Sequence, residues 1–397
     1  MKKRLLFIMP SLSAGGGEKS LINLLSRMDY EKYEIDLFLF NHDGIFLELL
    51  PEKVNILPIN DTLEKFSLPL FRSLSTLSIH RNYSLLYNRF KYALQNRGFK
   101  NTSVKEQMNW RHLSESIPVL DKEYDVAIGF LEKTSTYFCV DKVKAKKKVG
   151  WIHIDYDHLG MDPEFDNGYF ASLDHIVTVS EECAAILKRR FPTHENKIEV
   201  IYNIVSPKLI TKMADMEEDV LENGPYKKIN ILSVGRLHHQ KGFDLSIKAC
   251  RRLVDKGYPI CWHIIGEGEE RGRLTDLIHE NNLENHFKLL GLKSNPYPYM
   301  KQADIYVQTS MFEGKSIAID EAKILNKPIV VTDFSTARDQ IENGVTGIIV
   351  AKKPEDIASG LEKLLTNEEL KSRLQYNLSY ENLGTESEIN KIYALCD

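Results

Sequence analysis

The chain has 397 residues, enough for two domains of ordinary size. Its composition, 43% hydrophobic and 27% charged with a net charge of −4, is globular and argues against a general nucleic-acid binder. No run approaches the roughly 18 apolar residues that span a bilayer, and Pro10 cuts short the signal-like opening "MKKRLLFIMP". The five cysteines (Cys139, Cys183, Cys250, Cys261, Cys396) show no CxxC or zinc-finger spacing. They are expected to be reduced thiols of a cytosolic protein, which leaves the sequons at Asn101 and Asn377 without meaning.

In chain order, "RLLFIMP" reads as a strand, "SLSAGGGEKS" as a glycine turn (Gly15, Gly16, Gly17) and "LINLLSRM" as a helix. Such a junction is a ready anion site, because the first N–H groups of a helix lack partners within it. It is not a P-loop: glycine must directly precede the Lys-Ser pair, and Glu18 stands there, where its charge would oppose a triphosphate. The runs "YEIDLFLF", "VNILPI", "YDVAIGF", "KKVGWIHI", "HIVTVS" and "IEVIYN" continue a first series of strands. A second series runs through "INILSVGR", "ICWHIIGEG", "FKLLG", "DIYVQTS", "PIVVTD" and "GIIV". Near-continuous apolar strands alternating with helices predict parallel sheets covered on both faces.

Between the two series lies "SPKLITKMADMEEDVLENGPYKK", residues 206–228, polar, acidic and closed by Asn223-Gly224-Pro225. The predicted class is α/β, with two doubly wound Rossmann-like domains facing across a cleft. Residues 1–205 form the first and 206–380 the second, while 381–397 are expected to form a helix returning to the first. Ligands of such sheets sit beyond the carboxyl ends of the strands, so the cleft is the expected site.

Residues 66–105 depart from this pattern. They contain no Asp or Glu, but carry Arg72, Arg81, Arg89, Lys91, Arg97, Lys100 and Lys105. Phe66, Phe71, Tyr83, Tyr87, Phe90, Tyr92 and Phe99 are interleaved with them. Basic residues mixed with aromatics describe a surface suited to an anionic bilayer; the plainer alternative is a basic helical excursion packed on the first domain.

The stretch "FEGKSIAIDEA" (312–322) sets Glu313 and Glu321 eight apart, with Gly314 and Ser316 opening a helix. Helix N–H groups would face an anion beside Glu313, and Glu321 could accept hydrogen bonds from paired hydroxyls such as those of a ribose. Upstream, "SVGRLHHQKGFD" places Arg236 and Lys241 in one loop after a strand. Two cations beside a helix N-terminus suit a diphosphate whose charge grows as it leaves.

Together these motifs resemble the retaining glycosyltransferase family 4, which has the GT-B fold, and the resemblance spans nearly the whole chain. It includes the Gly15-Gly16-Gly17 loop, "GWIHID", "GR…K", "GEGEERGRL" and the Glu-x7-Glu pair. The resemblance implies a cytoplasmic enzyme at the inner face of the cell membrane, moving a hexose from a UDP-sugar with retention and without metal or other cofactor. The basic aromatic segment suggests that the acceptor hydroxyl belongs to a lipid-linked saccharide, in surface-polysaccharide or glycolipid synthesis.

It also implies roles for single residues. Glu313 would hold hydroxyls of the donor sugar and Glu321 the ribose, while Arg236 and Lys241 would bind the diphosphate with backbone near Gly16 and Ser316. His153 would sit at the donor sugar, and Gly291 and Leu292 near the base. Gly235, Gly266, Gly314, Lys315 and Ile317 complete the implied binding set. Two departures stand out: Lys315 replaces a commonly apolar residue, and "DFSTARDQIENGVTG" lacks the family's Gly-Gly-x-Pro-Glu. Two rivals share the fold, a nucleotide-sugar 2-epimerase and a catalytically idle partner subunit.

Blander readings apply elsewhere. Asp155 and Asp157 spell Asp-x-Asp, but they read better as loop or cap carboxylates than as metal ligands. His238 and His239 lack a third ligand at fitting spacing, so no metal site is expected there.

Overall fold

The computed structural model describes residues 2–13, 15–98, 101–216, 221 and 228–397, with the side chains of residues 97 and 98 left aside. The Asn223-Gly224-Pro225 turn, Phe99, Lys100 and the Arg97 side chain lie outside the described residues.

The chain divides into two compact units. The first comprises Met1–Ser13, Gly17–Tyr202 and Ile389–Asp397; the second comprises Gly15, Gly16 and Asn203–Glu388. In the first unit the strands are β1 (Lys3–Met9), β2 (Tyr33–Leu39), β3 (Val54–Ile56), β4 (Glu123–Gly129), β5 (Lys144–Ile152), β6 (His175–Thr178) and β7 (Ile198–Val200). They form one sheet in the order β3-β2-β1-β4-β5-β6-β7. The second unit contains β8 (Ile229–Val234), β9 (Ile260–Ile265), β10 (Phe287–Leu289), β11 (Ile305–Gln308), β12 (Ile329–Thr332) and β13 (Ile348–Val350), ordered β10-β9-β8-β11-β12-β13. Every strand pairing in both sheets is parallel.

The sequence explains the parallel pairing. Leu5 to Met9 of β1 and all six residues of β9 are buried, as strands covered on both faces must be. In each unit the strand order reverses beside the first strand, between β1 and β4 and between β8 and β11. Loops leaving the carboxyl ends of two such strands diverge and leave a crevice, the usual ligand site of open α/β sheets.

The C-terminal helix, Ile389–Cys396, packs on the first unit: the Tyr393 ring stacks on Tyr33 with centroids 5.4 Å apart. All five cysteines are buried and unbridged. Among the described residues no helix is long and apolar enough to cross a membrane.

Most of the described residues between 66 and 105 lie on helices that follow β3: Asp61–Ser67, Leu70–Ile79, Tyr83–Gly98 and Thr102–Leu113. Their basic and aromatic residues divide into two sets. Phe66 is buried, and the Arg89 guanidinium lies 5.5 Å from its ring and 5.6 Å from that of Tyr92. Arg89 also donates to the Leu68 carbonyl at 3.1 Å, so it is an internal brace rather than surface charge. Phe71, Tyr83, Tyr87 and Phe90 point outward.

Glycines lace the carboxyl edge of the second sheet. Gly266 (φ +154°) donates to Gly291 O at 2.9 Å, and Gly235 donates to Ile265 O at 3.0 Å. A Cβ on Gly266 would lie 1.9 Å from Gly235 O, a distance no side chain tolerates. Gly257 also has positive φ (+84°), but open space surrounds its would-be Cβ. Gly266→Ala is therefore expected to destabilise the second unit by more than about 3 kcal/mol, and Gly257→Ala by only about 1 kcal/mol. Urea unfolding of the two variants checks the contrast.

Candidate functional site

The crevice of the second sheet collects the loops after β8 and β11. Apolar β11 ends in the polar run Gln308-Thr309-Ser310, all buried, and the chain then turns through Glu313 into the helix Ile317–Ile324. From the β8 side, Gly242 (φ +61°) lets its backbone pass against Thr309, where a Cβ would lie 2.3 Å from the carbonyl. Met311 N donates to Gln240 O at 2.7 Å, and Thr309 Oγ1 donates to Lys241 O at 2.9 Å. These contacts fix the two loops against each other.

Glu313, 7% exposed, sits at their junction. Its Oε1 accepts from Lys241 Nζ at 2.5 Å, Ser310 Oγ at 2.6 Å and Gln308 Nε2 at 3.0 Å. Its Oε2 accepts a single long contact, from Gln240 Nε2 at 3.4 Å, among the described residues. The carboxylate is thus anchored by one oxygen and offers the other. The stem of Lys241 lies along Gly235, whose would-be Cβ falls 3.1 Å from it, so a side chain there would displace the lysine.

Glu321 is 1% exposed and accepts from the Tyr297 hydroxyl at 2.9 Å. Tyr306 is near both glutamates: burial raises its phenol well above the usual range, and the charges of Glu321 and Glu313 add to the rise. The Ser316 N–H donates to Gln340 Oε1 at 2.9 Å, and Gln340 Nε2 returns a bond to Ser316 O at 2.8 Å. That amide is already partnered, so any anion at this helix start would meet other N–H groups. Lys315 lies 3.1 Å from Asp320, both nearly buried. Arg236 is exposed, as is Leu292, and Gly291 has φ +74°. Gly314 and Ile317 flank Lys315 and Ser316 at the helix start.

The remaining predicted residues lie at the carboxyl ends of β1 and β5. Gly16 opens the helix Gly16–Leu25 after β1, with Gly15 just before it, and a Cβ on Gly17 would lie 2.8 Å from Leu131, in the loop after β4. His153 follows β5, its amide donating to Glu132 Oε2 at 3.1 Å. The His153 ring lies 4.9 Å from Phe130 and 5.9 Å from Trp151, and its Nε2 is buried without a hydrogen-bond partner. Burial lowers its pKa to about 3 and raises that of the Glu132 carboxyl. The next residue, Lys133, has φ +64° and is held by Glu106 at 2.7 Å.

Asp155 caps the helix Tyr156–Leu159, accepting from the amides of Asp157 and His158, while Asp157 pairs with Arg189 at 2.8 Å and with Arg190. His238 caps the turn at His239–Lys241 and faces Glu269 at 3.5 Å.

Gln308, Ser310, Gln240 and Gln340 escaped the reading of the sequence. The one signal they leave is a polar run closing an otherwise apolar strand. Glu132 and Lys133 in "FLEKTST" leave none beyond two charges at a strand end.

Residues 215–379 match the glycosyl transferases group 1 family. An uncharacterized glycosyltransferase of Methanocaldococcus jannaschii is 31% identical over 179 residues, 44% of this chain and 43% of that protein. The N-acetylgalactosamine-N,N'-diacetylbacillosaminyl-diphospho-undecaprenol 4-alpha-N-acetylgalactosaminyltransferase of Campylobacter jejuni is 32% identical over 187 residues, 47% of this chain and 49% of that protein. These matches span less than half the length of either relative. An uncharacterized glycosyltransferase of Haemophilus influenzae matches 98% of the chain and 99% of its own length, at 25% identity. Among solved structures, S. aureus TarM with UDP covers 100% of both chains with a TM-score of 0.67 at 15% identity. Anabaena HepE with UDP and glucose covers 99% of this chain and 98% of its own, with a TM-score of 0.68 at 16% identity. The fold is GT-B, and the second unit is related to the group 1 glycosyl transferases.

Lys241 lies in a loop and is nevertheless largely buried. Its side chain is 19% exposed and that of Glu313 is 9% exposed, so this is a largely buried ion pair. Lys241→Met is expected to destabilise the second unit by roughly 2–3 kcal/mol, the other donors to Glu313 moderating the loss. Arg236→Ala, at an exposed position, should change stability by under about 0.5 kcal/mol. Chemical denaturation of both variants tests the difference.

Proposed function

We propose that the protein transfers a hexose from a UDP-sugar to a hydroxyl of a lipid-linked saccharide, with retention at the anomeric carbon and without a metal. The observation that carries this reading is the half-committed Glu313 carboxylate, with Oε1 saturated by donors and Oε2 left to accept from a sugar hydroxyl, beside Lys241 at the strand-order reversal. The TarM and HepE structures, each with UDP bound, supply the choice of nucleotide.

In this reading the acceptor hydroxyl attacks the anomeric carbon from the face the diphosphate leaves. The carbon–oxygen bond to the phosphate breaks, and the acceptor proton passes to the departing phosphate oxygen. Arg236 and Lys241 meet the growing charge; an ammonium has three donors, so Lys241 can serve Glu313 and a phosphate together. Backbone N–H groups of the Gly15-Gly16-Gly17 loop and of the helix after Ser316 add to the cradle. Glu321 receives the ribose, Gly291 and Leu292 lie at the base, and His153 meets the donor sugar.

Three donors on Oε1 draw charge from the Glu313 carboxylate, which favours a binding role over that of covalent nucleophile. With its pKa near 3, His153 stays neutral above about pH 5 and contacts the sugar as an uncharged ring.

Incubation with UDP- and GDP-sugars, read by mass spectrometry, tests the assignment. Slow release of UDP from a UDP-sugar, undiminished by EDTA, is expected. Interconverted sugar without net UDP release would make the protein an epimerase, and no turnover of any donor would make it a partner subunit. Arg236→Ala should slow turnover by roughly 100- to 1000-fold at unchanged melting temperature. Near-normal turnover in that variant would remove the diphosphate role. The pH–rate profile should contain no limb from His153 between pH 5 and 9, roughly.

A further inference from the structure

The helix Tyr83–Gly98 carries two apolar faces. Leu85, Arg89 and Tyr92 turn inward; Leu85 is buried and Arg89 stacks against Phe66 and Tyr92. On the opposite side stand Tyr83, Tyr87, Phe90 and Leu94, each 46–66% exposed. Their spacing of four, three and four residues sets them within about 60° of one another around the helix. On the preceding helix Phe71 is 87% and Ile79 75% exposed. A helix needs one apolar face to pack on its domain; a second, at helical register and open to water, has a partner of its own.

Charge identifies that partner. From Phe66 to Lys105 the chain has no acidic residue. Arg72 and Arg81 are exposed, and Lys91 flanks the stripe with its ammonium 5.5 Å from the Tyr87 ring. An aromatic stripe rimmed by cations, on a stretch of chain without an acidic residue, fits a sheet of anionic headgroups over hydrocarbon, where rings lie at headgroup level and cations meet phosphates. We propose that the outward faces of Leu70–Ile79 and Tyr83–Gly98 seat the protein on an anionic lipid bilayer, with Tyr83, Tyr87, Phe90 and Leu94 at the headgroup boundary. The proposal deepens the reading of a lipid-linked acceptor and rests on it for its biological sense.

Co-sedimentation with phosphatidylglycerol vesicles, without any sugar donor, provides the test. The wild-type chain should pellet at low salt, release as salt rises, and bind phosphatidylcholine vesicles far less. Tyr87→Ser with Phe90→Ser should reduce the bound fraction at least about tenfold. Arg72→Glu with Lys91→Glu should weaken binding about thirtyfold at low salt. All four positions lie outside the donor machinery, so UDP-sugar hydrolysis and melting temperature should stay at wild-type values. Wild-type protein left in the supernatant at low salt would overturn the proposal, as would equal binding to neutral vesicles. A concentration-dependent rise in mass lost with Tyr87→Ser and Phe90→Ser, without vesicle binding, would assign the stripe to a second copy instead. Donor turnover is measured separately, so failure here leaves the transferase reading standing, and vesicle binding survives its failure.

Discussion

The contact between Lys241 Nζ and Glu313 Oε1, at 2.5 Å, organises the second unit's crevice. A carboxylate at 7% exposure is stable there only because charge and hydrogen bonds replace water. Lys241 supplies the charge from the loop after β8, and Gln308 and Ser310 supply neutral donors from the end of β11. The pair therefore joins the two strands between which the order of the sheet reverses. Around it the backbone is committed as well: Gly242 must pass under Thr309, and Gly235 must leave room for the lysine stem.

This has a chemical consequence. Folding itself desolvates and orients the charges of this crevice. One carboxylate oxygen is spent on structure, and the other keeps acceptor capacity. The edge of the first unit follows a related logic with an unusual ring: burial keeps His153 neutral, and its amide is held by a carboxylate whose own pKa burial has raised. The strained Lys133 beside it is tied to Glu106 of the helical excursion, linking that excursion to the loop after β4.

The fold was largely legible because both sheets are parallel and covered, so each strand is a near-continuous apolar run that composition alone marks out. Glu313, Arg236 and Lys241 stand out as charges just after strands, and Glu321 by its spacing of eight from Glu313 on the following helix. Their supports do not. Gln308, Ser310, Gln240 and Gln340 are neutral polar residues whose importance lies in what they face, and no spacing encodes that. Arg89 shows the same limit from the other side. It looked like surface charge among six other cations, whereas the fold turns it inward onto two aromatic rings. Lys241 lies in a loop by sequence, and packing buries it against Glu313. In each case the missing information was direction, which tertiary packing decides.

The central claim is that Glu313 receives the sugar of a nucleotide donor, and Glu313→Gln tests it most directly, because the amide keeps the shape of the site and removes the charge. Calorimetric titration with UDP and turnover of the UDP-sugar should be measured on the same preparation. The account predicts that UDP, which lacks the sugar, binds the variant about as it binds the wild type, while donor turnover falls at least about 100-fold. Donor turnover at the wild-type rate in Glu313→Gln would contradict it.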